Sequence, residues 1–254
     1  VPLPSFEIRE LFHLNFLRYL SSKLSQRRYA VKGGICLRFF HRSPRLSEDI
    51  DLDIHPQVNV NTLGKIVDTI LGSRGFVSNF IPRGVVSLDF RKPKQTNTAQ
   101  KWKIELLMGS AVTSTKIEFS RRAGKINDLQ GTPSPELLSH YKMVPFAAKY
   151  YGAEEMTVQK IAALSAVNRN AVRDLFDLHH LFYSLDVDPQ EIRNHIDSQT
   201  IDRADAKVAT FTHRDFQEQV SPFLPESLAV MYEENDNFQK LKDDVQVKLI
   251  EMIS

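Results

Sequence analysis

Three aspartates recur at every second residue, Asp49, Asp51 and Asp53, alternating with Ile50, Leu52 and Ile54. That period predicts a half-buried strand with one acidic and one apolar face. Adjacent carboxylates on such a face lie roughly 6 to 7 Å apart, close enough to share divalent ions, and Mg²⁺ is the natural occupant of a set of hard oxygen donors. Without a cation, three neighbouring like charges raise one another's pKa, so the row asks for one. The same row would also suit an exposed edge strand that uses acids to resist pairing. Upstream, Lys32-Gly33-Gly34 interrupts a strand-like run and opens a brief apolar helix. Glycines admit close backbone approach and a helix N-terminus favours anions, so this turn can hold phosphate. Together with a metal-binding strand it would hold a nucleoside triphosphate from both ends, whereas a glycine pair alone is an ordinary turn.

The elements that must position these groups can be read from periodicity. Residues 5–24 place Phe6, Leu11, Leu14, Leu17, Leu20 and Leu24 at helical spacing, with Ser5 as the expected N-cap. A strand over 29–32, the glycine turn, a helix over 35–40 and the acidic strand over 48–54 follow, then a helix over 61–73. Strand character recurs at 76–81, 85–90, 103–108 and 115–119. From Pro135 onward the pattern is helical, with helices expected over 154–167, 171–183, 188–196, 215–220, 225–234 and 238–253. The expected class is α+β: a mixed sheet with flanking helices over residues 1–130, then a mainly helical domain over 131–254, joined near the QGTPSP stretch at 130–135.

Composition narrows the function classes. The chain has 254 residues, 42% of them hydrophobic, and no uninterrupted apolar run long enough to span a membrane, so a globular core is expected and no membrane partner. Cys36 is the single cysteine, which excludes an internal disulfide and a thiolate metal cage, and a cytoplasmic setting is expected. The opening VPLPSFEIRE lacks the basic start and apolar stretch of an export signal. The net charge of +2 hides an asymmetry: 26 basic and 16 acidic residues up to Leu185, against 7 and 15 beyond it. Residues 83–125 alone carry ten Lys or Arg against Asp89, Glu105 and Glu118. Such a field attracts polyanions, although it could also balance the acidic tail. Cys36, Trp102, Phe76 and Phe80 are expected in the core, and the eight histidines show no metal-ligand spacing.

The segment KGGICLRFFHRSPRLSEDIDLDI, residues 32–54, resembles the signature of AbiEii-type nucleotidyltransferase toxins, relatives of the DNA polymerase β superfamily. The likeness continues in KIEFS at 116–120, which resembles that family's later acid-bearing strand. It continues again in QKIAAL at 159–164 and RDLFDL at 173–178, which resemble its helical lysine and Arg-Asp motifs. Order and spacing agree from about Leu14 to Phe182. Gly34 stands where the superfamily carries serine, and its gap to Asp49 is slightly long, so Ser47 is the candidate for the serine contact to phosphate.

The resemblance implies a nucleotidyltransferase-like sheet, with Asp49 and Asp51 as catalytic metal ligands and Glu118 as the third carboxylate. It implies nucleotide contacts from Lys32, Gly33, Gly34, Arg45 and Ser47, and catalytic roles for Lys160 and Asp174. Lys160 with an Arg-Asp pair would equally make a structural ion-pair network, and Asp53 reads as a supporting residue behind the first two aspartates. The implied reaction moves NMP from an NTP to an acceptor hydroxyl with two Mg²⁺ ions. RNA, as a tRNA 3′ end, is the expected acceptor, and a cognate antitoxin the expected protein partner. A small-molecule or protein acceptor, or an inert nucleotide-binding module, are the alternatives.

Overall fold

The computed structural model describes residues 3–24, 28–123 and 125–253. The chain forms two compact units: Val1–Arg42 with Leu46–Tyr151, and Ser43–Arg45 with Gly152–Ser254. In the first unit α1 (Ser5–Lys23), β1 (Tyr29–Lys32), α2 (Gly33–Phe40), β2 (Asp49–Ile54), α3 (Val60–Leu71) and α4 (Arg74–Val77) precede a meander of β3 (Ser87–Gln95), β4 (Ala99–Met108) and β5 (Ala111–Ser120). β6 (Asp128–Gly131), α5 (Pro135–His140) and β7 (Ala148–Tyr151) complete it. Among the described residues these strands form one seven-stranded sheet in the order β3-β4-β5-β2-β1-β7-β6. The β2–β5 and β1–β7 pairs are parallel and the others antiparallel, which gives the mixed sheet expected of the class.

The sheet is two-faced for the reason its sequence gives. In β4 and β5, Trp102, Ile104, Ile117 and Phe119 are fully buried, while their neighbours Lys103, Glu105 and Lys116 are exposed. The apolar positions of α1 supply a second layer: Phe12 contacts Phe16, Phe76 and Phe80 at ring-centroid distances of 6.3, 5.7 and 5.9 Å. The Trp102 indole N–H donates to Asp68 Oδ1 at 3.0 Å, tying β4 to α3 and satisfying its one polar atom. Cys36 is buried, its thiol toward the Tyr151 carbonyl at 3.4 Å, in the core role expected of it.

Several expectations are corrected. Residues 76–81 form no strand: Ser73 caps α4 by accepting from the Phe76 amide, and a 3₁₀ turn follows at Ile81–Arg83. Phe76 and Phe80 lie four residues apart with rings 5.1 Å apart, a helical spacing that overrides the strand preference of aromatic residues. α1 begins at Ser5 with Pro4, not Ser5, in the cap position. The sheet takes up the start of the presumed linker as β6, and the first unit runs to Tyr151 rather than ending at 130. β7 interrupts the expected helical run.

The second unit is built from α6 (Ala153–Leu164), α7 (Val172–Tyr183), α8 (Pro189–Ile192), α9 (Ser198–Thr210), α10 (His213–Gln219), α11 (Glu226–Met231) and α12 (Asn235–Glu251). The pattern predicts no helix over 198–210, where α9 forms, because its apolar stripe is only Ile201, Ala204 and Val208 among charges. Its ends reveal what holds it. Asp197 accepts from the Thr200 amide at 2.9 Å, and the Lys242 ammonium of α12 donates to the carbonyls of Ala209 and Phe211 at 3.1 and 3.0 Å.

His13 of α1 couples the helix layer to the strand beside the carboxylates. Thr115 donates to the Glu48 carbonyl at 2.7 Å and so accepts from His13 Nε2 at 2.6 Å, which leaves buried Nδ1 without a partner. Burial, reinforced by Arg9, pushes the imidazole pKa down to about 3. A depressed folded-state pKa means the neutral ring's stability is complete above the unfolded value and is lost as pH falls below it. Moving from pH 7.5 to 5.5 should therefore cost the wild type about 1.4 kcal/mol more unfolding free energy than His13→Gln. Urea titrations at the two pH values check this; equal pH dependence in the two proteins would refute the neutral buried histidine.

Candidate active site

β2 runs between β1 and β5, so its acidic face meets side chains from both. In the parallel pair with β5, Asp51 stands opposite Glu118 and Asp49 opposite Lys116; in the antiparallel pair with β1, Asp51 stands opposite Lys32. Register partners share a face and neighbouring strands lie about 4.8 Å apart, so Asp51 and Glu118 are side by side. The structure therefore brings together Asp49, Asp51 and Glu118, although Glu118 is distant from the other two in sequence.

This acidic row is neutralised from within. Lys116 Nζ lies 2.9 Å from Asp49 Oδ2, Lys101 Nζ 2.6 Å from Glu118 Oε2, and Lys32 Nζ 2.6 Å from Asp53 Oδ1. The hydrogen bond to Asp49 holds the Lys116 pKa above its usual value, against the opposing effect of partial burial. Asp53 is buried and also accepts from the Tyr151 hydroxyl at 2.9 Å, so it is held between Lys32 and Tyr151.

Gly33 explains why the turn before α2 carries glycine. Its φ is +69°, and an added Cβ would sit 3.0 Å from Asp51 Oδ2. The start of α2 and the Asp51 carboxylate are thus in direct apposition, and any side chain at 33 would be strained by its backbone and would press on that carboxylate. Gly34 follows within the first turn of α2. Ser47 donates to the Asp49 carbonyl at 3.2 Å, just before the strand begins. A cleft of about 270 Å³ opens beside Asp49, with Arg9, Lys103 and Lys116 among its walls.

The remaining expected site residues form a cluster in the helical unit. Arg45 is buried, and its guanidinium grips Asp177 with bonds of 2.9 and 2.8 Å. Lys160 lies 2.8 Å from Asp174 and 2.6 Å from Asp177, and Arg169 lies 2.8 Å from the other Asp174 oxygen. Burial alone would depress the Lys160 pKa, but Asp174 and Asp177 outweigh it and hold it above the usual value. Burial would likewise raise the Asp177 carboxyl, yet Arg45 and Lys160 hold it below the ordinary range. The structure thus turns Arg45, expected at phosphate, toward Asp177. It sets Lys160 and Asp174 in the ion-pair network that the sequence left as the second reading of these residues. Asp177, which completes the network, stands four residues after Arg173 in the sequence, a helical spacing that places the two on one face.

The carboxylates fit a divalent cation in donor type. Among the described residues no three His, Cys, Asp or Glu converge as a ready-made cage. Magnesium does not require one, since it is commonly held by one or two carboxylates plus substrate phosphate oxygens. The ammonium groups of Lys101 and Lys116 already mark positions where positive charge is held against this row.

A family model for the nucleotidyl transferase AbiEii toxin of type IV toxin–antitoxin systems matches residues 15–246. The chain belongs to the AbiEii nucleotidyltransferase toxin family. Membership makes the protein a nucleotidyltransferase of the toxin type, in a family that generally uses an NTP and a divalent metal and pairs with an antitoxin. The fold is similar to that of an H. pylori protein provisionally assigned as a nucleotidyltransferase, at TM-score 0.59 and 18% identity over 96% of this chain and 95% of the other. It is also similar to JHP933 from Helicobacter pylori, at TM-score 0.55 and 17% identity over 99% and 93%. A comparison with curated protein sequences finds no significant match. Among the described residues no helix is long and apolar enough to cross a membrane.

Gly33→Ala tests the apposition of α2 and β2. A left-handed backbone conformation costs a side-chain-bearing residue roughly 1–2 kcal/mol, so the variant should lose at least that much stability. Because Asp51 must also shift, nucleotide affinity measured by calorimetry should fall; unchanged stability and affinity would contradict the close contact.

Proposed function

We propose that the protein transfers NMP from an NTP to a hydroxyl of RNA, a tRNA 3′ end, as the toxin of a toxin–antitoxin pair. The observation that carries this reading is the register of β2 against β5, which sets Glu118 beside Asp51 and one step from Asp49. Asp49, Asp51 and Glu118 would hold two Mg²⁺ ions. When bound, those ions lower the pKa of the acceptor hydroxyl and neutralise charge on the leaving oxygens.

The chain's own groups account for the rest. Lys32 and the Gly33-Gly34 amides at the start of α2 bind and orient the triphosphate, with Ser47 contributing its hydroxyl. The acceptor hydroxyl releases its proton to water, its oxygen bonds to the α-phosphorus as the bond to the bridging oxygen breaks, and pyrophosphate departs with that electron pair. No histidine base is needed, which agrees with the burial of His13 away from the acidic face. Arg45, Lys160 and Asp174 take the role of fixing the Ser43–Arg45 segment within the helical unit, a few residues before the chain enters β2. The excess of basic residues before Leu185 supports an RNA acceptor over a small neutral one.

Asp49→Asn removes a charged ligand without changing side-chain volume. It should reduce incorporation of labelled NTP into RNA by about a hundred- to a thousandfold, the scale expected when an electrostatic stabiliser is lost, while leaving the unfolding transition in place. Turnover near the wild-type level would sink the assignment.

A further inference from the structure

The sheet face that carries the acids continues across β5, β4 and β3 as a basic surface. Register draws two rows over it: Asp49, Lys116, Lys103 and Arg91 in one, and Asp51, Glu118, Lys101 and Lys94 in the other. Strict alternation would put Arg91 and Lys94 on opposite faces. An irregularity between them, at the Lys92-Pro93 pair, adds one residue to β3 and returns both to the same side. The first row spans three inter-strand steps, about 14 Å from Asp49 to Arg91. The Asp89–Glu105 pair bounds the field, and Arg91 is bound to Glu105 at 3.0 Å. Lys94 and Lys103 make no ion pair with another described residue.

We infer that this surface is the track for the acceptor's phosphate backbone, with Lys94 and Lys103 as its principal phosphate contacts. The inference rests on the RNA-acceptor reading and says where that RNA lies. Two observations carry it besides charge. The cleft beside Asp49 is lined by all four residues of the first row, with Arg9, Arg91, Lys103 and Lys116 as cations against Glu48, Asp49 and Glu105, so the track runs into the acids. The sheet order also places β5, β4 and β3 on one flank of β2, and β1 with the glycine turn on the other. An in-line displacement needs attacking and leaving oxygens on opposite sides of phosphorus. Triphosphate held at Gly33 therefore leaves the β5 flank for the acceptor strand.

The experiment measures binding of fluorescein-labelled tRNA by anisotropy between about 50 and 200 mM KCl, for wild type, Lys94→Gln/Lys103→Gln, and a Lys65→Gln control at an exposed position of α3. Each lost phosphate contact flattens the log–log salt slope by about one, so the double variant should bind at least about tenfold more weakly at low salt with a slope shallower by about two. The control should match wild type, and NTP affinity of the double variant should be unchanged. Equal tRNA affinity and slope in wild type and the double variant would overturn the track, as would absence of tRNA binding by wild type. Labelled NTP incorporation separates this from the functional reading. Incorporation by wild type with an unaffected double variant removes the track alone; track-dependent tRNA binding without incorporation removes the transferase reading of the acceptor and leaves the track.

Discussion

Four carboxylates on two adjacent strands must be kept together, and their mutual repulsion is the constraint around which the first unit is arranged. Two like charges about 4.8 Å apart repel by about 3 kcal/mol at the effective dielectric of a protein surface. Asp51 and Glu118 occupy such neighbouring positions. The fold offsets this with lysines delivered from three strands, Lys32 from β1, Lys101 from β4 and Lys116 from β5, each on the acid of a neighbouring strand. These bonds hold the row together at the surface of the sheet.

The sidedness of the sheet makes that arrangement possible. Its apolar face is sealed by α1, with the Phe12, Phe76 and Phe80 cluster and the buried Trp102 in the core. The polar face is left to the charges. Gly33 shows how closely the parts approach: a single Cβ would strike the Asp51 carboxylate. In the helical unit the logic is inverted, since Lys160 and Asp177 are buried and paired, which favours a fixed geometry over exchange.

The sequence made the acidic strand legible because a period of two is local, and the glycine turn because its residue types are permissive. The class of the fold followed from the same patterns. What lay beyond reach was the partner of each charge. Nothing in KIEFS says that Lys116 will reach Asp49 or that Lys101, on another strand, will hold Glu118, because register is set by long-range pairing. Arg45 shows the same limit: the resemblance implies a phosphate contact there, and nothing in the local sequence tells that Asp177 holds its guanidinium. The β6–β7 pair leaves little trace in the sequence because its strands are short and flank a proline-rich stretch, and α9 little because its apolar stripe is narrow.

Manganese binding followed by electron paramagnetic resonance, with and without a nonhydrolysable NTP, tests the central claim most directly. The account predicts weak binding alone, tighter binding when nucleotide phosphates complete the coordination, and loss of both in Asp51→Asn and Glu118→Gln proteins that remain folded. Manganese affinity that is indifferent to residues 51 and 118 would contradict it.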